Sequence, residues 1–273
     1  MFNRRALIVS FASLSLFAHC GNVTINKPVA AQEGAPKPAP VLPSMKGETI
    51  VVAGATGRTG KVIVELLKEQ GVKVRAFSRN IDKAKMEVQD VEWISADVRD
   101  PASIKGIAKG ASRMVIALGS NSFKDPNNKP ELVDNKGVAL LAEEAKKSGV
   151  KQVVLISSAG VTKAQPGGND FAKVMYTVMS SKLEGENALR KSGVGYTILR
   201  PVGLWDKPAG QFGIAFLRGD VPVAAMIARA DVAIVAVNAL NNPDAKNKTF
   251  TLFNVSQRQN DAWKSALAEV AAD

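Results

Sequence analysis

Histidine and cysteine are almost missing from this sequence: there is one of each in 273 residues, His19 and Cys20, side by side near the N-terminus. Everything after them lacks both. That excludes a His/Cys metal site, a disulfide within a monomer, and any Ser-His-Asp or Cys-His nucleophile in the body of the protein. Aromatic residues are also scarce, at 5%. Lys and Arg outnumber Asp and Glu by 36 to 25, for a formal net charge of +11. The lysines are spread along the chain, however, and no aromatic stacking platform accompanies them, so no nucleic-acid interface is expected. No internal repeat is visible.

The N-terminus reads as a separate object. Met1–Arg5 is a basic start, and Ala6–Ala18 is an apolar run of about thirteen residues, the length of a signal h-region and short for a bilayer span. A polar, proline-rich linker follows, from Asn22 to Pro43. Arg4-Arg5-Ala6-Leu7-Ile8 is similar to a twin-arginine signal, which implies export to a periplasm. Cleavage after Ala31 or Cys20, or a lipid on Cys20, would fit that reading. A plastid presequence is the alternative, because the segment has no acidic residue before Glu33. Residues 1–45 are therefore set apart as signal and linker, and 46–273 as the folded domain. No transmembrane segment is expected in the mature chain.

What the domain has is glycine in a telling place. An apolar run, Thr49–Ala53, reads as a buried strand and leads into Gly54-Ala55-Thr56-Gly57-Arg58-Thr59-Gly60, after which Val62, Ile63, Leu66 and Leu67 recur at helical spacing. Gly54 turns the chain off the strand. Gly57 leaves room for a pyrophosphate, and Gly60 lets helix and strand pack closely. The phosphates of a dinucleotide then lie on free N–H groups at a helix N-terminus, where the dipole favours negative charge.

Strands and helices alternate throughout, which predicts an α/β fold with one doubly wound, mostly parallel sheet. Val72–Phe77 is the second strand and ends in Ser78-Arg79-Asn80. An arginine here suits a ribose 2′-phosphate, with Ser78 as a further donor and Arg58 as a second cation, so NADP(H) is favoured over NAD(H). Val91–Ser95 is strand three. Asp97, beside Val98, can bond an adenine amino group or cap the helix near Pro101, for which Asp100 is better placed. Strand four is Met114–Ser120, whose small residues around Ala117, Leu118 and Gly119 let a cofactor pass. A helix begins at Val133. Val150–Ile156 is strand five, and Ser157-Ser158-Ala159-Gly160 leaves its carboxyl end, where open α/β sheets bind ligands. Phe171–Lys191 is helical, with Lys182 and Glu186 on one face as an ion pair or as site residues. Gly195–Leu199 is strand six. Val202–Trp205 and Phe212–Phe216 can wall a substrate, and Asp261–Val270 is an amphipathic helix expected to pack on the domain.

The glycine loop at 54–60, Ser-Ser-Ala-Gly at 157–160, Lys182 with Glu186, Tyr196-Thr197-Ile198-Leu199-Arg200-Pro201 and Arg229-Ala230-Asp231-Val232-Ala233 together resemble the atypical short-chain dehydrogenase/reductases, in particular the single-domain NmrA-like NAD(P)H-binding subgroup. The resemblance spans about residues 48–255. It implies a lysine, Lys182, on the nicotinamide ribose, a carbonyl-binding serine, for which Ser158 fits better than Ser157, and a proton-exchanging tyrosine four residues before the lysine. That position holds Val178. Tyr176 lies two residues earlier, which turns it about 200° around a helix, and only a local irregularity would restore it. Two functions follow as expectations: an NADP(H)-dependent reductase or epimerase on a small, partly apolar substrate, with Lys182, Ser158 and Tyr176 as catalytic candidates, or a non-catalytic NADP(H)-binding redox sensor or assembly factor. No metal site is expected.

Overall fold

The computed structural model describes residues 42–121, 125–221, 223–256 and 262–273. The export-signal and linker reading of residues 1–41 lies outside the described residues. Met45, one residue before the expected start of the domain, is already buried in its core.

The chain opens β1 (Thr49–Ala53), α1 (Arg58–Glu69), β2 (Lys73–Ser78), α2 (Ile81–Glu87), β3 (Glu92–Ser95), α3 (Pro101–Ile104) and β4 (Arg113–Ile116). A π-helical turn, Glu131–Gly137, runs directly into α4 (Val138–Lys147). Then come β5 (Gln152–Ile156), α5 (Asp170–Lys191), β6 (Tyr196–Pro201), β7 (Gly203–Trp205), β8 (Gly213–Arg218), β9 (Met226–Ala228), α6 (Arg229–Asn241), β10 (Lys248–Val255) and α7 (Ala262–Glu269). The main sheet has the order β3-β2-β1-β4-β5-β6-β10-β8. All its neighbours are parallel except β10 and β8. The order reverses between β1 and β4, so the chain leaves their adjacent carboxyl ends toward opposite faces of the sheet and a crevice opens there, the position at which doubly wound sheets bind ligands.

Strands β4, β5 and β6 are buried along their whole length, as expected of parallel strands covered on both faces. Alternate residues of β1 feed opposite cores: Ile50 and Val52 one side, Val51 and Ala53 the other. Helices α1, α6 and α7 cover the first side, α4 the second.

The expected helix at Val133 starts earlier, at Glu131, and as a wider π turn. Strand four ends at Ile116, so Ala117–Ser120 leave the sheet as a loop. Phe216, expected to wall a substrate, is fully buried between Phe250 and Trp263, with ring centroids 5.7 and 6.2 Å away. The antiparallel turn-back of β8 onto β10 puts that side chain in the core. The C-terminal helix packs as expected, burying Trp263 and Leu267. No helix among the described residues is long and apolar enough to cross a membrane.

The β1–α1 corner is held together by the absence of side chains. A Cβ on Gly60 would lie 2.0 Å from the Gly54 carbonyl oxygen. Gly54 itself has φ +86°, and its own Cβ would lie 2.4 Å from the Ala117 oxygen. Both obstacles are backbone and cannot rotate away. Gly60→Ala is therefore expected to destabilise the domain by about 1–3 kcal/mol, the usual range for overpacking, read as a lowered midpoint in thermal or urea unfolding.

Candidate functional site

At the switch point the chain forms a groove of about 260 Å³. Gly54, Thr56 and Gly57 line it from the glycine turn, and Phe77, Ser78 and Arg79 from the end of β2. Ala96, Asp97, Val98 and Arg99 contribute after β3, and Ala117, Leu118 and Gly119 after β4. Asn128 and Val133 complete it. Most of the residues expected from the sequence to meet a cofactor thus meet each other.

The groove floor is the N-terminus of α1. Its capping residue is Gly57, which has no side chain to satisfy the first-turn amides, and no acidic residue lies in that turn. By contrast α2, α3 and α5 are each capped by a side chain: Asn80, Asp100 and Asn169 accept from Lys83, Ala102 and Ala172 N–H. Uncapped donors facing an open groove fit an anionic group such as a diphosphate.

Several side chains are engaged differently from the expectation. Arg58 points to Asp206, 3.1 Å away, and is not among the groove-lining residues. Asp206 also accepts from Arg229, at 2.7 Å, so the two guanidinium groups share one carboxylate, and that carboxylate holds Arg58 outside the groove. Ala55 and Gly60 are buried in the corner, and Thr59 faces away from the lining. The Ser78 hydroxyl is used locally, donating to the Asn80 carbonyl and accepting from its N–H. Asp97 does not cap α3; Asp100 does. Asp97 is instead gripped by Arg99 through contacts of 2.6 to 3.0 Å. The hydrogen bonds from Arg99 hold the Asp97 carboxyl below the usual carboxylate range. Arg79 contacts Asp125 at 3.2 Å.

Lys182 and Glu186 do not pair. The Lys182 ammonium donates to Asp134 Oδ1 at 2.7 Å, and Asp134 Oδ2 accepts the Ser120 N–H at 3.1 Å. Asp134 is only 1% exposed. It is delivered by the π turn, against which α5 packs so closely that a Cβ on Gly185 would lie 2.2 Å from the Asp134 carbonyl. Glu186 is buried beneath, bonded to Arg200 at 3.0 and 2.5 Å and to Arg190 at 3.2 Å. Tyr176 sits on the same helix, which stays α-helical from Asp170 to Lys191, so the irregularity that would carry the phenol round to the lysine is absent. Ser157 is buried at the end of β5, its hydroxyl without a partner among the described residues. Ser158 is half-buried and donates to the Ala159 carbonyl.

Residues that the sequence reading missed are mostly carboxylates and their partners. Asp134 was visible only as a helix-start acid, and Arg99 sat unnoticed in the run Asp97–Asp100. Asp220 is the third. Its carboxylate accepts from Gly160 N–H at 2.6 Å, Thr162 N–H at 2.7 Å and the Thr162 hydroxyl at 2.8 Å, pinning the serine turn after β5 to the end of β8. Burial pushes its pKa up, but these three donors and the Arg200 charge outweigh that, leaving it below the usual carboxylate range. A depressed folded-state pKa stabilises above the unfolded value, about 3.9, and the gain is lost as pH falls through the folded value. Amide exchange at Gly160 and Thr162, corrected for intrinsic rates, is therefore expected to be flat from pH 8 to about pH 5 and to rise below about pH 4, whereas Asp220→Ala raises it throughout.

The matching family model, described as NAD(P)H-binding, covers residues 54–243. An uncharacterised chloroplast protein of Arabidopsis thaliana is 33% identical over 83% of this chain and 84% of its own length. Sanguinarine reductase of Eschscholzia californica is 29% identical over 81% of this chain and 94% of its own. Among solved structures, an oxidoreductase of Lactococcus lactis superposes with a TM-score of 0.65 at 21% identity, over 81% of this chain and 96% of that one, a likeness of fold. This chain belongs to the NAD(P)H-binding family of Rossmann-type proteins that includes reductases and epimerases of the short-chain dehydrogenase/reductase kind.

Proposed function

We propose that this chain is an NADP(H)-dependent reductase or epimerase acting on a small, partly apolar substrate. The observation that supports it most is the uncapped glycine corner of α1, opening into a groove rimmed by Arg79. In this reading the amides of Thr56, Arg58 and Thr59 take the diphosphate, the Gly57 amide being used by the Gly54 carbonyl, and Ala55, Gly57 and Gly60 keep side chains out of its way. Arg79 turns to the 2′-phosphate, while Asp97 and Val98 flank the adenine. Ala117, Leu118 and Gly119 form the wall opposite, and Lys182, steadied by Asp134, donates to the nicotinamide ribose beside Ser157. In the same reading Ser158 gives up the Ala159 carbonyl to donate to a substrate carbonyl, and the stacked Trp205 and Phe212, 5.3 Å between centroids, offer an apolar wall on the substrate side. The bound nicotinamide supplies hydride transfer. With Val178 in place of the family tyrosine, the proton comes from water or substrate, and Tyr176 is a substrate-side residue. The N-terminal segment fits export, by a twin-arginine-like signal into a periplasm; the chloroplast relative favours a plastid as the alternative.

A second reading, a non-catalytic NADP(H)-binding redox sensor or assembly factor, is favoured by Val178. The two separate on turnover. Steady oxidation of NADPH with a carbonyl or enone panel is expected for the parent, reduced at least about tenfold in Lys182→Ala and less than about twofold in Tyr176→Phe. Cofactor-dependent partner binding without turnover would decide for the second reading. Cofactor choice is tested by fluorescence titration. NADPH is expected to bind more tightly than NADH, with the preference lost in Arg79→Asp; equal affinities in the parent would overturn it.

A further inference from the structure

Three charged side chains line the groove, Arg79, Asp97 and Arg99, and Asp125 just outside the lining pairs with Arg79, so the four charges cancel. Arg99 is fully committed. It holds Asp97 through its Nε and one terminal nitrogen and donates with the other to the Asn127 carbonyl at 2.8 Å. Arg79 is the exchangeable cation, half exposed and joined to Asp125 by a single contact of 3.2 Å.

Asp125 does not depend on that contact for its position. Its carboxylate accepts the Asn127 N–H at 3.0 Å, its own carbonyl accepts the Asn128 N–H at 2.8 Å, and the turn so formed is tied down by Arg99 at Asn127. When Arg79 swings to another anion, Asp125 stays where it is. The Asn127 amide, aided by the Arg79 and Arg99 charges, keeps its carboxyl below the usual range, so it is ionised at neutral pH.

We propose that Asp125 is a specificity-determining residue of the nucleotide site: it competes with a ribose 2′-phosphate for Arg79 and opposes the phosphate's charge, while leaving a plain 2′-hydroxyl undisturbed. The inference rests on the dinucleotide reading of the groove given above. A 2′-phosphate carries nearly two negative charges at pH 7. To reach Arg79 it must displace one carboxylate from that guanidinium and then sit beside it. A ribose hydroxyl pays neither penalty and can donate to the same carboxylate. The chain therefore prefers NADPH by less than its arginine alone would give, and the limit is set by a residue of the loop after β4, outside the groove lining, and not by the strand end that carries Arg79.

The test is a pair of titrations on the purified protein, with NADPH and NADH, for the parent, Asp125→Asn and Asp125→Ser. Both variants are expected to bind NADPH about tenfold more tightly and NADH within about twofold of the parent, with the NADPH gain shrinking as salt is raised. A merely structural role for the turn would shift both nucleotides together and leave their ratio unchanged. An unchanged ratio in both variants, with the parent still binding nucleotide, overturns this inference and leaves the dinucleotide reading standing. Failure of the parent to bind either nucleotide at millimolar concentration overturns both.

Discussion

Nothing larger than hydrogen fits where β1 meets α1, and the rest of the molecule is arranged around that fact. The Gly54 carbonyl occupies the place where a side chain on residue 60 would begin, and Ala117 does the same for residue 54. The first helix is thereby drawn against the first strand and the loop after β4 against both. Three consequences share this one origin. The first-turn amides of α1 are left without a side-chain cap, the crevice at the switch point stays open, and the loops after β2, β3 and β4 converge on it.

Carboxylates then stitch those loops together. In a chain with eleven more positive than negative formal charges, acids are the scarcer sign, and at the carboxyl edge of the sheet they serve as struts. Asp97 joins Arg99; Asp125 joins Arg79; Asp134 joins the lysine of α5 to the loop after β4; Asp206 joins the start of α1 to the start of α6; Asp220 joins the serine turn to the end of β8. All but the first span two elements that are distant in sequence; Asp97 and Arg99 lie two residues apart, and Arg99 reaches on to the Asn127 carbonyl. Hydrogen bonds to ionised groups are about twice as strong as neutral ones, so a few such struts can order an edge built wholly of loops. The Asp134 strut needs the most support. It requires the wide turn of the π helix to aim the side chain, and a glycine on α5 to let the two helices touch.

The first six strands and all but one of the helices between them, α2, are readable because their signals are local. A buried parallel strand is an unbroken apolar run, and Gly54, Asn80, Asp100 and Asn169 punctuate the boundaries. The later strands are not. Lys248–Val255 alternates threonine with large apolar residues and is recruited between β6 and β8 by pairing across the sheet, which no short window of sequence contains. The same limit explains Phe216, whose neighbours Phe250 and Trp263 are remote in the chain. At the site, the glycine turn and Arg79 announce themselves by spacing. Asp125, Asp134 and Asp220 do not, because each acts on a partner between 46 and 60 residues away, and an isolated aspartate in a loop carries no local mark of what it will meet. Lys182 and Glu186 mislead for a related reason: four residues apart on a helix, they suit each other, but a buried arginine from β6 and a buried aspartate from the π turn suit them better.

Glu186 has a longer reach than its own contacts. It is sealed from water between Arg200 and Arg190, with no solvent to absorb a mismatch. Losing either member of a buried ion pair strands the other charge at a cost of about 3–5 kcal/mol, while exchanging the whole set for apolar groups is often neutral. The glutamate and its arginine are thus coupled positions: a change at one is far less costly when the other changes with it.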